Sequence, residues 1–493
     1  MMAHRRMAVS MRGKSQWAAL AAASISFVPA FAQDQASSPP RDEGSLYPAS
    51  SEAVEGGPLG NALGPTRYIL NDIGQSEEFR ALVRKAVGIH PLFHKEISAR
   101  AEARGHVAAE RAALYPRLSA NLNGDYVLAR DFGASTDNVV ESLRPEGQFN
   151  AGLSVSQLLF DGGASLQRIR GAKAHVRAEQ LSISARVNEL SLSALSAYHD
   201  LAAHQAILKF GDDFIRRHEK LLADVKERER LGAGTRADVM QASARLASAR
   251  ARVSQIRESM RLAEIRYEEF FKEEPTVLVR PSFEAAAVGS RDEAVGLSIA
   301  HNPEIAAAAA RSDRATADYR AARARRLPEL RANVGAVKYD VFDGGDDYDV
   351  RGTVNMNYDL YAGGARKASI SQAGEAARQQ KLDEAEVRRE TERDAAIAFE
   401  RREASTERLA ALADALVSNY QARDLIAERF RVARGELIDI LQAENDYFEA
   451  GVAYLIGLAD RDMATYALME HTGDLLRFFS PQPEYAEGGL IND

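Results

Sequence analysis

The sequence predicts an α+β membrane protein made of two structural repeats, in which short two-faced strands run directly into very long helices. Three observations predict it. A strand-like stretch ending in a glycine pair occurs twice, as Leu158-Leu159-Phe160-Asp161-Gly162-Gly163 and as Asp359-Leu360-Tyr361-Ala362-Gly363-Gly364. A long proline-free stretch follows each copy. Matching residues also recur at constant offsets. Gly163/Gly364, Gly234/Gly435, Asp238/Asp439, Gln241/Gln442 and Ala242/Ala443 are 201 apart, while Pro91/Pro303, Pro116/Pro328, Leu118/Leu330 and Asn121/Asn333 are 212 apart. Two constant offsets over such a span indicate a duplicated unit, with extra residues in the first copy at 129–148.

The chain of 493 residues is long enough for two or three ordinary domains, but its Ala-rich, charge-rich composition and fifteen prolines favour long helices. A net charge of −8 speaks against a nucleic-acid partner. The chain has no cysteine, which removes thiolate metal sites, a Cys nucleophile, disulfides and a lipid anchor on cysteine. At the N-terminus Arg5, Arg6, Arg12 and Lys14 precede an apolar run from Trp17 to Phe31, and Ala30-Phe31-Ala32 fits a small-x-small cleavage site. Residues 1–32 are therefore expected to be a signal peptide. A retained anchor helix fits less well, because the run is short and broken by Pro29. No other stretch is apolar for long enough to cross a bilayer as a helix, so any span must be made of strands.

Residues 33–70, rich in Ser, Pro, Gly and acidic groups at their start, read as a disordered leader. Repeat 1 is expected over 71–275 and repeat 2 over 276–479, with 480–493 a loose tail. The first helix spans about 75–115, broken near Gly88–Pro91 and stopped by Pro116. A period of two follows. Leu118, Ala120, Leu122, Gly124, Tyr126 and Leu128 face one way, and Ser119, Asn121, Asn123 and Asp125 the other. A loop covers 129–148, and the return strand sets Ala151, Leu153 and Val155 against Asn150, Gly152, Ser154 and Ser156.

From Gly163 the helix continues to Leu231. Ile183, Val187, Leu190, Ala194, Ala197 and Leu201 step by four and three in alternation, which is a coiled-coil seam. Leu231-Gly232-Ala233-Gly234 breaks it, and Thr235 with Asp238 forms a capping box for the next helix, to about Phe271. The second repeat follows the same plan. A helix spans 291–326 with Pro303 inside it, and strands follow from Leu330 and Val350. A long helix then runs to about Val432, and another from beyond Gly435 to about Leu476. Four strands cannot close a barrel, and open edges are not tolerated in lipid, so the strands must close with copies from other chains. Three chains would supply twelve strands.

On these junctions, the repeated Gly-to-Asp helix break and the run Asp439-Ile440-Leu441-Gln442-Ala443-Glu444-Asn445, the chain resembles the TolC-like outer-membrane efflux protein family over nearly its whole mature length. The resemblance implies a homotrimer. Its twelve-strand outer-membrane β-barrel, four strands per chain, would continue into a twelve-helix periplasmic α-barrel. It also implies a passive duct, no enzyme activity and no cofactor, docked on a periplasmic membrane-fusion adaptor and an inner-membrane ABC or proton-driven transporter.

The resemblance assigns candidate sites as well. Asp439 and Asp238 match the acidic residues that ring the periplasmic aperture, although Asp238, three residues after Thr235, reads better as a helix cap. Gly232 matches the family's glycine six residues before the Asp, whereas Ala433 stands there in the second repeat and Gly435 supplies the flexibility. Gln241 and Gln442 occupy positions where close relatives carry a further acid. Gly232, Gly234, Arg434 and Gly435 sit where an adaptor tip would touch. Gly162, Gly163, Gly363 and Gly364 form the strand–helix junctions. Asn121, Asn123, Asn333, Arg351, Asn355 and Asn357 face a wet barrel lumen, and Tyr126, Tyr358 and Tyr361 an interfacial girdle.

Other chemistry is weakly signalled. Asp340, Asp343, Asp346, Asp347 and Asp349 could hold a divalent ion but read better as a solvated loop. His90 and His94 have helical metal-ligand spacing without a zinc signature. No nucleophile–base pair, carboxylate pair or phosphate loop stands out. The Asp439–Asn445 run resembles type I protein-secretion members slightly more than drug-efflux members, so protein export is the expected function, with small-molecule efflux beside a proton-driven pump as the alternative. The rival from another class is a soluble periplasmic coiled-coil scaffold, which has no use for two-faced strands.

Overall fold

The computed structural model describes residues 57–70, 77–129, 147–280, 288–342, 346–432 and 434–479. The expected signal peptide, the leader up to residue 56, most of the 129–148 loop, Asp343, Ala433 and the tail at 480–493 lie outside the described residues.

The described elements are, in order, α1 (Pro58–Leu63), a 3-10 turn (Gly64–Leu70), α2 (Glu77–Ile89), α3 (Pro91–Ala112), β1 (Arg117–Tyr126), β2 (Gly147–Phe160), α4 (Ala164–Arg230) and α5 (Arg236–Phe271). Then come α6 (Arg291–His301), α7 (Pro303–Ala324), β3 (Glu329–Lys338), β4 (Tyr348–Asn357), α8 (Ala365–Arg431), α9 (Leu437–Thr472) and α10 (Asp474–Phe479). Lengths match across the two halves: α4 and α8 have 67 residues each, α5 and α9 have 36, and α3 and α7 have 22. At 1.5 Å per residue, α4 and α8 are each about 100 Å long. Among the described residues no helix is long and apolar enough to cross a membrane.

Prolines and caps set the boundaries. Pro91 and Pro303 stand at the first turns of α3 and α7, where a missing N–H costs nothing; the first gives the break expected near Gly88–Pro91, and the second splits the helix expected over 291–326 in two. His90 caps α3 by accepting from the Leu92 N–H through Nδ1 at 3.2 Å, and its ring stacks on Phe270. It has a structural task there. The expected last helix is shorter than its pattern, because Gly473 adopts φ 82° and ends α9 at Thr472 before α10 begins.

The four strands form one antiparallel sheet in the order β1-β2-β3-β4. β4 stops at Asn357, before the expected Leu360. Its partner there is Glu329, and Pro328 just before it has no N–H to continue the ladder. The main core lies where α4 packs against α5 and α9. It contains Phe210, Phe214, Tyr447, Phe448 and the buried seam residues Ile183, Val187, Leu190, Ala194 and Leu201.

One expectation is corrected. The leader was expected to run to residue 70, but Pro58–Leu70 is helical, with Ala62, Leu63, Thr66 and Ile69 buried against the long helices. The Gly and Pro content that reads as disorder continues through Gly60, Gly64 and Pro65, but Leu59, Leu63, Ile69 and Leu70 stand among these residues. These apolar side chains offset the cost of ordering the segment by packing on the core.

Candidate functional site

The sheet largely sorts its side chains by face. The register sets Leu118 opposite Val155, and Val155 opposite Val334. It sets Leu330 opposite Met356 and Ala332 opposite Val354. Because side chains alternate, this places most apolar residues of the four strands on one side, with Leu158 and Val337 on the other and Gln157 and Lys338 among the apolar ones. The other side carries Asn121 opposite Gly152, Asn123 opposite Asn150, Asn333 opposite Ser156 and Thr353, Arg331 opposite Asn355, Gly335 opposite Arg351 and Glu329 opposite Asn357. Ser119 and Ser154 exchange a 2.8 Å hydrogen bond on that face. All six expected lumen residues therefore share one polar face. Both faces are largely solvent-exposed in a single chain.

Aromatic rings gather at the two ends of the strands. Tyr126, Tyr348 and the Phe149–Phe342 pair (5.1 Å between centroids) mark the loop end. Phe160, Tyr358 and Tyr361 mark the helix end. The acidic β3–β4 loop is partly self-neutralised, with Asp346 3.7 Å from Lys338 and Asp349 2.7 Å from Arg351. Among the described residues no cluster of three His, Asp or Glu side chains could hold a metal ion.

The glycine pairs turn strand into helix. Gly162 and Gly163 have φ 67° and 85°, and Gly363 and Gly364 have 58° and 86°, a backbone region that other residues enter only with strain. The first junction is capped by Asp161. Its carboxylate accepts from Gly163 N (3.0 Å), Ser165 N (2.7 Å) and Ser165 Oγ (2.6 Å). The repeat-equivalent of Asp161 is Ala362, which cannot cap; instead Arg366 donates to the Asp359 carbonyl (2.9 Å) and carboxylate (3.1 Å). A polar cavity of about 570 Å³ opens between the junctions, lined among others by Asp161, Arg168, Arg325, Arg331, Asp359 and Arg366.

At the far end of the long helices are two tips. The first, between α4 and α5, closes with Ala233 N donating to Arg228 O (2.8 Å) and Gly232 N to Glu229 O (2.9 Å), with Gly232 at φ 75°. This is a Schellman ending, so Gly232 is the residue that reverses the chain. Thr235 then caps α5. Its Oγ1 accepts from Asp238 N (3.2 Å), and Asp238 Oδ2 accepts from Thr235 N (2.9 Å). Those bonds hold the exposed Asp238 carboxyl below its ordinary range. The structure thus gives Asp238 a capping task.

Asp439 differs. It is exposed, α9 has no side-chain cap at Glu436, and among the described residues the Asp439 carboxylate makes no hydrogen bond or ion pair. It lines a groove of about 350 Å³ with Asn419, Arg429, Gly435, Gln442 and Asp446. Gln442 is committed to Asp446 at 2.7 Å. Arg434 N donates to Arg429 O (2.9 Å), and Arg228 of the first tip reaches across to the Phe430 carbonyl at 2.5 Å and stacks over its ring.

Three polar nodes escaped the sequence reading. Arg217 of α4 binds Glu444 of α9 at 2.7 Å. Asp462 of α9 is buried between Arg280 (2.5 Å) and Arg461 (2.8 Å), with His199 beside it. Glu189, Glu304 and Glu470 come together from α4, α7 and α9. Most of these partners are more than a hundred residues apart, so no local spacing announces them.

Sequence and fold comparisons agree with this arrangement. The outer membrane efflux protein family matches residues 82–268 and 294–474. Outer membrane efflux protein BepC of Brucella suis biovar 1 (strain 1330) is 25% identical over 371 residues, covering 75% of this chain and 79% of that protein. A membrane protein from Pseudomonas aeruginosa superposes with a TM-score of 0.73 at 20% identity, over 80% of this chain and 90% of that one. The outer membrane protein VceC from Vibrio cholerae gives 0.71 at 19% identity, over 81% and 97%. At those identities the two structures speak to the fold alone. The family match carries more, because its two stretches take in both sheet halves, both glycine pairs and both helical tips. The chain therefore belongs to the outer membrane efflux protein family, whose members are passive outer-membrane channels reaching into the periplasm and not enzymes.

Proposed function

We propose that three copies of this chain form one passive export duct. Each supplies four strands to a twelve-strand barrel in the outer membrane, and four long helices to a twelve-helix tube through the periplasm. The observation that carries this is the sheet itself. All four strands turn one apolar face to the same side, yet β1 and β4 are left as open edges that only further strands can satisfy in lipid. Asp439 lines the periplasmic aperture. Gly232, Gly234, Arg434 and Gly435 offer the surface that a membrane-fusion adaptor touches, and adaptor binding shifts the tip helices from closed to open coiling. An inner-membrane transporter supplies the energy.

The Asp439–Asn445 run favours type I protein secretion, with an ABC transporter as partner. Efflux of small molecules with a proton-driven pump is the second reading, and the similarity to a protein named for efflux favours it. Deleting the gene separates the two: loss of a secreted protein from the medium supports the first, and raised sensitivity to drugs or detergents the second. The duct itself is tested by conductance in a planar bilayer alongside mass in detergent. Stepwise channels from a trimer are expected. A water-soluble species without conductance overturns the reading in favour of a periplasmic scaffold.

A further inference from the structure

Pro58–Leu70 lies across the groove between α4 and α8. α1 packs on α8, and the 3-10 turn packs on α4. Ala62, Leu63 and Thr66 have no exposed surface, and Ile69 has 3%. A third helix joins through Tyr447 of α9, whose hydroxyl donates to the Ala62 carbonyl at 2.6 Å. Arg217 of α4 and Arg423 of α8 lie over the Tyr447 ring, at 5.0 and 4.5 Å from its centroid. Lys209 of α4 stands 4.7 Å from the centre of the Tyr68 ring. Burial pushes the Tyr447 phenol up to about 12, so it remains a donor at neutral pH.

The segment thus touches both helical hairpins, α4 with α5 and α8 with α9. A segment fixed to two bodies is indifferent to their motion only when they move together. If α8 and α9 uncoil away from α4, the Tyr447–Ala62 bond must break, or Leu63 and Ile69 must leave their pockets. Either cost falls on the moved state alone, which is what biases a two-state equilibrium. Tyr447 is also well placed to act on the tip, at about 15 Å along α9 from its start at Leu437.

We propose that Pro58–Leu70 is a strap that holds the α8–α9 hairpin against α4 and so sets how readily the periplasmic tip opens. The proposal rests on the reading of the chain as an export duct with a gated tip. Its natural antagonist is the adaptor, which must either pull the hairpin from beneath the strap or release the strap first.

The test uses full-length trimer in planar bilayers, with limited trypsin digestion in parallel. Arg67 is exposed and is the one basic residue of the strap, so cleavage after it reports strap release. Tyr447→Phe keeps the ring and loses the donor, while Leu63→Ala keeps the backbone and loses the anchor. Both are compared only as trimers of unchanged mass. Tyr447→Phe is expected to raise the open-to-closed ratio about fivefold, and Leu63→Ala more, each with faster cleavage at Arg67. If Leu63→Ala frees Arg67 to trypsin while gating stays at the wild-type value, the segment is packing and the proposal falls. It falls equally if neither variant alters cleavage or gating. Wild-type protein that forms no channel condemns the duct reading instead, and that is evident before any variant is compared.

Discussion

Single residues decide where this chain turns and where it carries charge. Gly162 and Gly163 share a left-handed backbone but not the same surroundings. A Cβ on Gly163 would meet nothing within 4 Å, whereas one on Gly162 would lie 2.6 Å from the Ala324 carbonyl and 2.9 Å from the Leu327 Cβ. Gly163→Ala is expected to cost about 1–2 kcal/mol of strain, and Gly162→Ala about 1–3 kcal/mol more from the clash. Thermal unfolding of the detergent-solubilised protein measures both, and equal losses would contradict the close approach of α7 to the junction. The two tip aspartates part in a similar way. Asp238 spends its carboxylate on Thr235, whereas Asp439 has no partner for its carboxylate among the described residues. Asp439→Ala is therefore expected to lower cation-over-anion selectivity in single-channel recordings by severalfold, and Asp238→Ala to change it less while fraying the start of α5. Unchanged selectivity in Asp439→Ala would remove that residue from the aperture.

Between elements, the Glu189–Glu304–Glu470 group makes a pH-dependent seam. Glu470 lies in the last turn of α9, near the negative helix end. Burial first, then Glu304 of α7 and Glu189 of α4, push its carboxyl up to about 7. Glu304 is itself pushed up, by burial first and then by Glu189, Glu390 and Asp394, with Arg311 acting against them. His471 beside it is pushed down by burial, so it adds no cation at neutral pH. A carboxyl raised from 4.5 in this way favours the folded state fully below pH 4.5. That favour is lost as pH rises through about 7, with a total on the order of a few kcal/mol. Glu470→Gln, fixed in the neutral form, should raise the unfolding midpoint at about pH 8 and leave it nearly unchanged at about pH 5. An equal shift at both pH values would mean that the effect is packing and not charge.

The elements themselves were mostly legible in the sequence, because each boundary has a local cause: Pro91, Pro303, Pro116 and Pro328, the glycine pairs, and strict alternation in the strands. What was not legible depends on distant partners. The order in Pro58–Leu70 comes from α4, α8 and Tyr447, which composition cannot register. Arg217 and Glu444 are likewise brought together only once α9 lies on α4, and Asp462 and Arg280 only once α9 meets the stretch that follows α5. The capping task of Asp238 was visible in the Thr235 spacing, whereas the unoccupied carboxylate of Asp439 needed the structure.

At the scale of the whole molecule, the chain is a four-stranded sheet with both margins open, set on helices about 100 Å long. The sheet margins bear on inheritance as well as on architecture. If three chains share one barrel, a chain with a spoiled β1 or β4 does not fail alone but occupies a place in every assembly that it enters. With equal expression of sound and spoiled copies and random mixing, only about one assembly in eight would be free of the defect. A proline placed mid-strand in β1, for instance at Leu122, should therefore be dominant in cells that also carry the intact gene, and channel activity should fall well below half. A loss near one half would mean that defective chains are sorted out before the strands ever meet.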